Sequence, residues 1–310
     1  MLSRVASHLY WMARYLERAE NMARILDVGQ LLSMVSRGED SEATAIEPLV
    51  ITNSLEAFDA AGRARTPDDV AGYLAWDPRH GSSIFSCLRN SRENARAVRA
   101  DITTEMWEDI NATWLQLLQK RHQDHPPADN AFFEWVKERS HLFRGITFAT
   151  IRRDQPYHFI RLGTYLERAD NTARILSVKQ STMGAGKSGD EITDYYRLSA
   201  VLRSVSAFEA YRDTYREGVD ERRVAELLIL DPTLPRSLRF CFDEIVRILG
   251  VLPGATAKPA RRLAATILAN LEFADIEEIH TEDYRAFLER FIGETAQLGE
   301  ALHQAYLELK

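Results

Sequence analysis

Apolar residues recur every three to four positions along most of this 310-residue chain, the period of an amphipathic helix, and no stretch alternates as a half-buried strand would. The first such pattern starts near Ser3 and runs beyond Leu32. Thr66-Pro67-Asp68-Asp69 combines an N-cap residue, a proline at the first helical position and acidic first-turn residues, and the short helix it opens ends at "DPRHG". One long helical pattern follows from Ser83 to about Arg121, and "HPPADN" (125–130) breaks it. Asn130 is placed to cap a helix through "FFEWVKERSHLFRGITFATIRR", and Pro156 opens another. "GAGKSGD" (184–190) reads as a connector, and helical stretches follow at roughly 190–215, 222–230, 235–250, 258–273 and 281–309. The predicted fold class is all-α.

The chain also repeats itself. "YLERAENMARIL" (15–26) returns 150 residues later as "YLERADNTARIL" (165–176). His8 matches His158 at that offset, and Ser54, Ala57, Phe58 and Ala60 match Ser204, Ala207, Phe208 and Ala210. After a four-residue slip, Val70, Asp77, Pro78, Ser83 and Cys87 match Val224, Asp231, Pro232, Ser237 and Cys241. Two copies of one unit are implied, 1–150 and 151–310, the second diverging after "VLPGATAKP" (251–259). Two related units normally bury their matching faces against each other. The expected architecture is therefore a helical bundle built from two internally repeated units, related by a pseudo-twofold axis and fused into one body.

On a helix, Glu17, Asn21 and Arg24 fall at i, i+4 and i+7 and form a polar stripe, which Arg14 extends by a turn. Glu167, Asn171 and Arg174 repeat it. Arg18 and Arg168 point about 100° away from their neighbouring glutamates and need partners on another helix or in solvent. Two readings are open. The stripes either exchange ion pairs between copies, Glu17 with Arg174 and Glu167 with Arg24, or converge as a charged centre on a ligand. A second polar segment, "SRENARAVRADITTEMWEDIN" (91–111), places Arg92, Arg96 and Arg99 at helical spacing, suited to a carboxylate or phosphate; it reads equally as a solvated face.

A formal net charge of -7 argues against general nucleic-acid affinity, and no apolar run reaches membrane-spanning length. The N-terminus has no signal-peptide pattern, and two cysteines make neither a disulfide framework nor a metal cluster. A cytoplasmic protein is expected. Cys87 and Cys241 read as small buried apolar residues, and His8 and His158 lie opposite the glutamates as part-buried, satisfied histidines. "GAGKS" lacks the first glycine of a phosphate loop, Ser181 standing there, and follows a helix. Glu17, Glu138 with His141, Glu167, and Glu277 with His280 mimic a di-metal bundle. Thr281 looks like a helix cap, however, which would leave His280 outside the helix, and the adjacent arginines would repel a dication. No metal and no cofactor are expected.

The segments "YWMARYLERAENMARIL", "SRENARAVRADITTEMWEDIN" and "FRGITFATIRRDQPYHFIRLGTYLERADNTARIL" resemble the landmark segments of the bacterial alpha-E family, named for its helical fold and Glu-Arg motif, over nearly the whole chain. The resemblance carries the motif onto Glu17, Arg18, Glu167 and Arg168, with Asn94, Arg96, Glu105 and Trp107 as further matches and Arg99 beside them. It implies two partners, a circularly permuted ATP-grasp protein and a transglutaminase-like peptidase. The implied role is making or modifying a peptide or other amide-linked product. An accessory subunit of the amide ligase, an enzyme or binder of a peptide or nucleotide, and a structural homo-oligomer are the three functions in competition.

Overall fold

A helix that is buried on most of its faces has to be surrounded, and the first pattern in the sequence is such a helix. A computed structural model describes residues 1–35, 39–123, 125–185 and 191–308. Helix α1 (Ser3–Val35) is 33 residues long, and Leu9, Tyr10, Met12, Leu16, Ala19, Met22, Ala23 and Leu26 are all buried along it. The elements that follow are α2 (Glu39–Ile51), α3 (Leu55–Ala60), α4 (Pro67–Trp76), α5 (Ile84–Ala97), α6 (Thr104–Arg121) and α7 (Asn130–Thr150). Then come α8 (Gln155–Ala185), α9 (Glu191–Ser204), α10 (Phe208–Tyr215), α11 (Glu221–Leu230) and α12 (Leu238–Val251). A 3-10 turn (Ala255–Ala257), α13 (Lys258–Glu272), α14 (Ile276–Glu282), α15 (Tyr284–Leu302) and a π-turn (His303–Leu307) complete the order. The described residues are all-α, with no strand among them.

The chain forms two units, Met1–Leu49 with Asn53–Glu167 and Tyr306–Lys310, and Val50–Thr52 with Arg168–Ala305. The division falls inside α8, within the second Glu-Arg string. In the first unit α1 packs on α4, α5 and α7, and α6 packs on α5 and α7. Polar ties fix the register. Ser91 Oγ donates to the Met12 carbonyl (2.8 Å), and Lys137 Nζ of α7 donates to Asp27 of α1 (2.9 Å). The start of α8 lies directly on α1: a Cβ added at Gly163 would stand 2.4 Å from the Tyr10 carbonyl oxygen. In the second unit α12 packs on α11 and α13, α15 packs on α13 and α14, and α9, α10 and α11 pack on one another.

Two turns recur in both units. Ser83 donates to the Asp77 carbonyl (2.8 Å) and caps α5 by accepting from Ser86 N; Ser237 donates to the Asp231 carbonyl (2.5 Å) and caps α12 by accepting from Phe240 N. Asn53 and Ser206 both take positive φ, 51° and 54°, and the amide that follows each returns to the helix before it, Ser54 N to Leu49 O and Ala207 N to Leu202 O. This second pair moves the register. Ser54 corresponds to Ala207 and not to Ser204, and the buried rings of Phe58 and Tyr211 correspond.

Several boundaries differ from those expected. The pattern from Ser83 to Arg121 is two helices, because Thr103 accepts from Met106 N and caps a new start. Arg99 therefore lies beyond α5, and the three-arginine stripe is not continuous. Asp129, not Asn130, caps α7 through Phe132 N (2.9 Å), while Asn130 donates to Asp27. The stretch 190–215 breaks at Ser206, and α2 and α3 were not anticipated, the first carrying Pro48 in its interior. His280 lies inside α14 with Glu277; Asp283 caps α15. The connector 184–190 falls largely outside the described residues.

The close approach at Gly163 is testable. Gly163→Ala is expected to destabilise by about 1–3 kcal/mol, because the obstacle is backbone. Gly145→Ala, in α7 with nothing within 4 Å of the added methyl, is expected to be neutral or to gain about 0.5–1 kcal/mol. Urea unfolding of the two variants side by side checks the pair.

Candidate functional site

The repeated string places Glu167 on the first half of α8, where Gly163 has brought that helix against α1 one turn earlier. The carboxylate is 6% exposed and is met by two arginines of α1. Arg18 holds it through both edges of its fork, Nε to Oε1 (2.6 Å) and Nη2 to Oε2 (3.0 Å). Arg14 Nε donates to Oε2 (2.8 Å), and its Nη1 donates to the buried Tyr10 hydroxyl (3.2 Å). Arg18 Nη1 also reaches Ser82 Oγ at 3.4 Å.

Burial alone would push the Glu167 carboxyl up. The fields of Arg18 and then Arg14, and the hydrogen bonds from both, overturn that and hold it at about 2. Burial would likewise lower Arg14, but Tyr10 and Glu167 raise it above its ordinary value. A carboxylate this weakly basic is poorly matched to proton transfer at neutral pH. Its chemistry is that of a fixed charge.

A second cluster lies further along α1. Glu20 has no exposure and accepts from Arg24 Nε (2.9 Å), Ser140 Oγ (2.8 Å) and Arg144 Nη1. Arg144 Nη1 also donates to Glu17 Oε2 (2.9 Å) and Ser140 Oγ (3.0 Å), and Arg24 Nη2 lies 3.1 Å from His141 Nε2. Glu17, itself buried, is among the residues around a small cleft of about 30 Å³ between α1, α7 and the start of α8, with Arg144, Phe148, Tyr157 and Arg161.

The expected cross-copy pairs are not those that form. Glu167 meets Arg14 and Arg18 rather than Arg24, which turns back to Glu20. Arg174 bonds Asp170 one turn earlier at 2.8 Å, not Glu17. Arg168 and Asn171 are buried in the second unit, and Asn171 Nδ2 has no hydrogen-bond partner among the described residues; Asn21 is buried in the first. Of the second segment, Asn94 Oδ1 pairs with His8 Nδ1 (2.8 Å), and Arg96 lies 3.6 Å from Glu93. Arg92 and Arg99 flank the Trp107 ring, and Glu105 is exposed. Glu20, Ser140 and Arg144 were not singled out from the sequence, although Glu20 and Arg24 stand at i, i+4. Among the described residues no three His, Cys, Asp or Glu side chains gather to hold a metal ion, and no helix is long and apolar enough to cross a membrane.

The described residues are all-helical and carry a buried Glu-Arg centre. The chain belongs to the Alpha-E family, described as a predicted alpha-helical domain with a conserved ER motif, whose model matches residues 1–307. It is 26% identical over 314 residues to an uncharacterized protein of Mycobacterium bovis, covering 92% of this chain and 34% of that protein. An uncharacterized protein of Mycobacterium tuberculosis matches at 25% identity with the same coverage. The chain thus spans about a third of the length of the curated relatives it matches. No solved structure matches it.

Two outcomes follow from the site. A carboxylate depressed in the native state stabilises the fold above its ordinary value of 4.5 and ceases to do so as acid protonates it in place, here near 2. Glu167→Gln should therefore cost about 3 kcal/mol near neutral pH, with the gap to the parent closing between pH 5 and 2 in urea titrations at stepped pH. Cys87 and Cys241 are fully buried, and burial pushes the Cys87 thiol up to about 12. Neither should react with a thiol reagent until denaturant is added, as mass spectrometry of labelled protein will show.

Proposed function

We propose that this chain is a non-catalytic helical subunit working with a circularly permuted ATP-grasp amide ligase. Together with a transglutaminase-like peptidase, the pair would make or modify a peptide or other amide-linked product in the cytoplasm. Family membership supports the choice of partners. The observation that carries the accessory role is the state of Glu167: buried, gripped by two arginines and held at about 2, it is a structural charge and not an acid–base catalyst. On this reading Glu17-Arg18 and Glu167-Arg168 are the family's ER motif. The two copies are related by a pseudo-twofold axis, a relation supported by the recurring turns at Asp77–Ser83 and Asp231–Ser237 and at Asn53 and Ser206. Assembly of further copies into a homo-oligomer is compatible with the role.

Co-expression with the ATP-grasp protein tests the proposal. The two are expected to co-purify through a tag on either one, and ATP consumption in the presence of an acceptor peptide should need both. Failure to co-purify, with ATP turnover by the ligase alone at full rate, would exclude it.

A second reading, a ligand-binding protein in its own right, is favoured by one observation: Arg144, one quarter exposed, lines a small cleft beside Glu17.

A further inference from the structure

The second unit carries an open groove of about 640 Å³ between the end of α13, α14 and the first turns of α15. Much of its lining is apolar: Ala269 of α13, Ile279 of α14, and Ala286 and Phe287 of α15. Phe273 joins them just past the end of α13, where its amide returns to the Ala269 carbonyl. It is 83% exposed, more than any other large apolar side chain among the described residues. A lone exposed apolar residue needs no explanation, but an exposed aromatic ring in an apolar groove with a polar rim is a contact surface for another molecule.

Three acids and one base complete the lining: Asp275, Glu278, Asp283 and Arg290. None of the four makes an ion pair among the described residues. The neighbouring charges are closed among themselves, Arg222 on Glu277, Arg239 on Glu272 and Arg285 on Glu289. Arg285 also feels the charge of Asp283, but its Nε donates to Glu289 at 2.8 Å. Asp275 and Asp283 each give Oδ1 to the amides that open α14 and α15, and keep Oδ2. Those helix ends offset part of the two aspartates' charge. Glu278 is exposed and has no such bond, so it is the most available of the three. Arg290 lies 5.6 Å from the centre of the Phe287 ring.

This balance selects the occupant. A single metal ion does not satisfy it, since among the described residues no three acids or other ligating side chains gather to hold one. Acids spaced around an apolar lining suit several cations carried at intervals on one chain. Acidic peptides, nucleic acids and anionic lipids are repelled. A small free amine would leave the Phe273 ring in water.

We propose that this groove docks a basic segment of a partner protein, one in which apolar side chains are flanked by lysine or arginine. The apolar side chains pack on Phe273 and the apolar lining, and the flanking cations face Glu278 and the free oxygens of Asp275 and Asp283. Charge complementarity decides the occupant. The inference goes beyond the accessory role and rests on neither reading of the Glu-Arg centre, because it uses residues of the second unit alone.

Fluorescence anisotropy of labelled peptides with the full chain decides it. The probes are a short peptide with Leu-Phe between two Lys-Arg pairs, the same peptide with glutamates for the basic residues, and the same with Ser-Ser for Leu-Phe. The first is expected to bind at least about tenfold more tightly than either control, and to weaken as salt is raised. Phe273→Ser and Glu278→Lys alter exposed side chains and leave both aspartate caps intact, so folding is retained; each should weaken the first peptide several-fold. Glu300→Lys makes the same change of net charge on an exposed residue about 15 Å further along α15 from Arg290, and should not. Equal loss with Glu300→Lys would reduce the effect to general attraction and overturn the groove. So would binding that ignores Phe273→Ser, or binding of none of the probes. Sedimentation of the chain alone covers the remaining occupant: a dimer abolished by Phe273→Ser would assign the face to a second copy and overturn the partner segment.

Discussion

Glu167 cannot be buried as a charge without the two arginines of α1. An ionised carboxylate in a helical interior is stable only when paired and hydrogen-bonded, and Arg14 and Arg18 together supply three donors. Those donors reach it only because Gly163 lets α8 lie against the Tyr10 carbonyl, so a missing side chain and a buried ion pair form one device. The same contact covers a face of α1 that would otherwise be exposed. The arrangement also explains how α1 can be buried over most of its length yet carry arginines. Three of its four arginines have a fixed acid to satisfy, Arg14 and Arg18 at Glu167, and Arg24 at Glu20.

Much of this was legible in the chain itself, for identifiable reasons. Helical period and the Thr66-Pro67 start signal are local, and α1 and α4 form where those signals place them. The Asp-Pro-to-Ser spacing marked a turn whose hydrogen bonds prove the same in both units. The break at residues 98–103 was not legible. Val98 continues the apolar period, and only the Thr103 hydroxyl accepting from Met106 N restarts the helix. The register near Phe58 was misplaced for a related reason: serine, alanine and phenylalanine recur at an offset of 150, whereas the positive-φ turns at Asn53 and Ser206 align at 153, where Ser54 meets Ala207 and Phe58 meets Tyr211.

The charged centre was half legible. Repetition of Glu, Arg and Asn drew attention to the right helices, and the 100° offset of Arg18 from Glu17 implied a partner elsewhere, which is Glu167. Which acid meets which arginine depends on where α8 crosses α1, and that is set by a glycine carrying no charge signal. Arg144 was inconspicuous because its role comes from α7 lying beside Glu17 and Glu20, a tertiary fact.

The central claim is that Glu167 and Arg18 are energetically coupled and that this coupling anchors the Glu-Arg centre. A double-mutant cycle with Arg18→Gln and Glu167→Gln, measured by urea unfolding at neutral pH, tests it most directly. A coupling of about 2–3 kcal/mol is predicted, since each single variant leaves the other member of the Arg18–Glu167 pair short of its partner, whereas the double variant leaves only Arg14 short. Single-variant costs that simply add, to within about 0.5 kcal/mol, would contradict it.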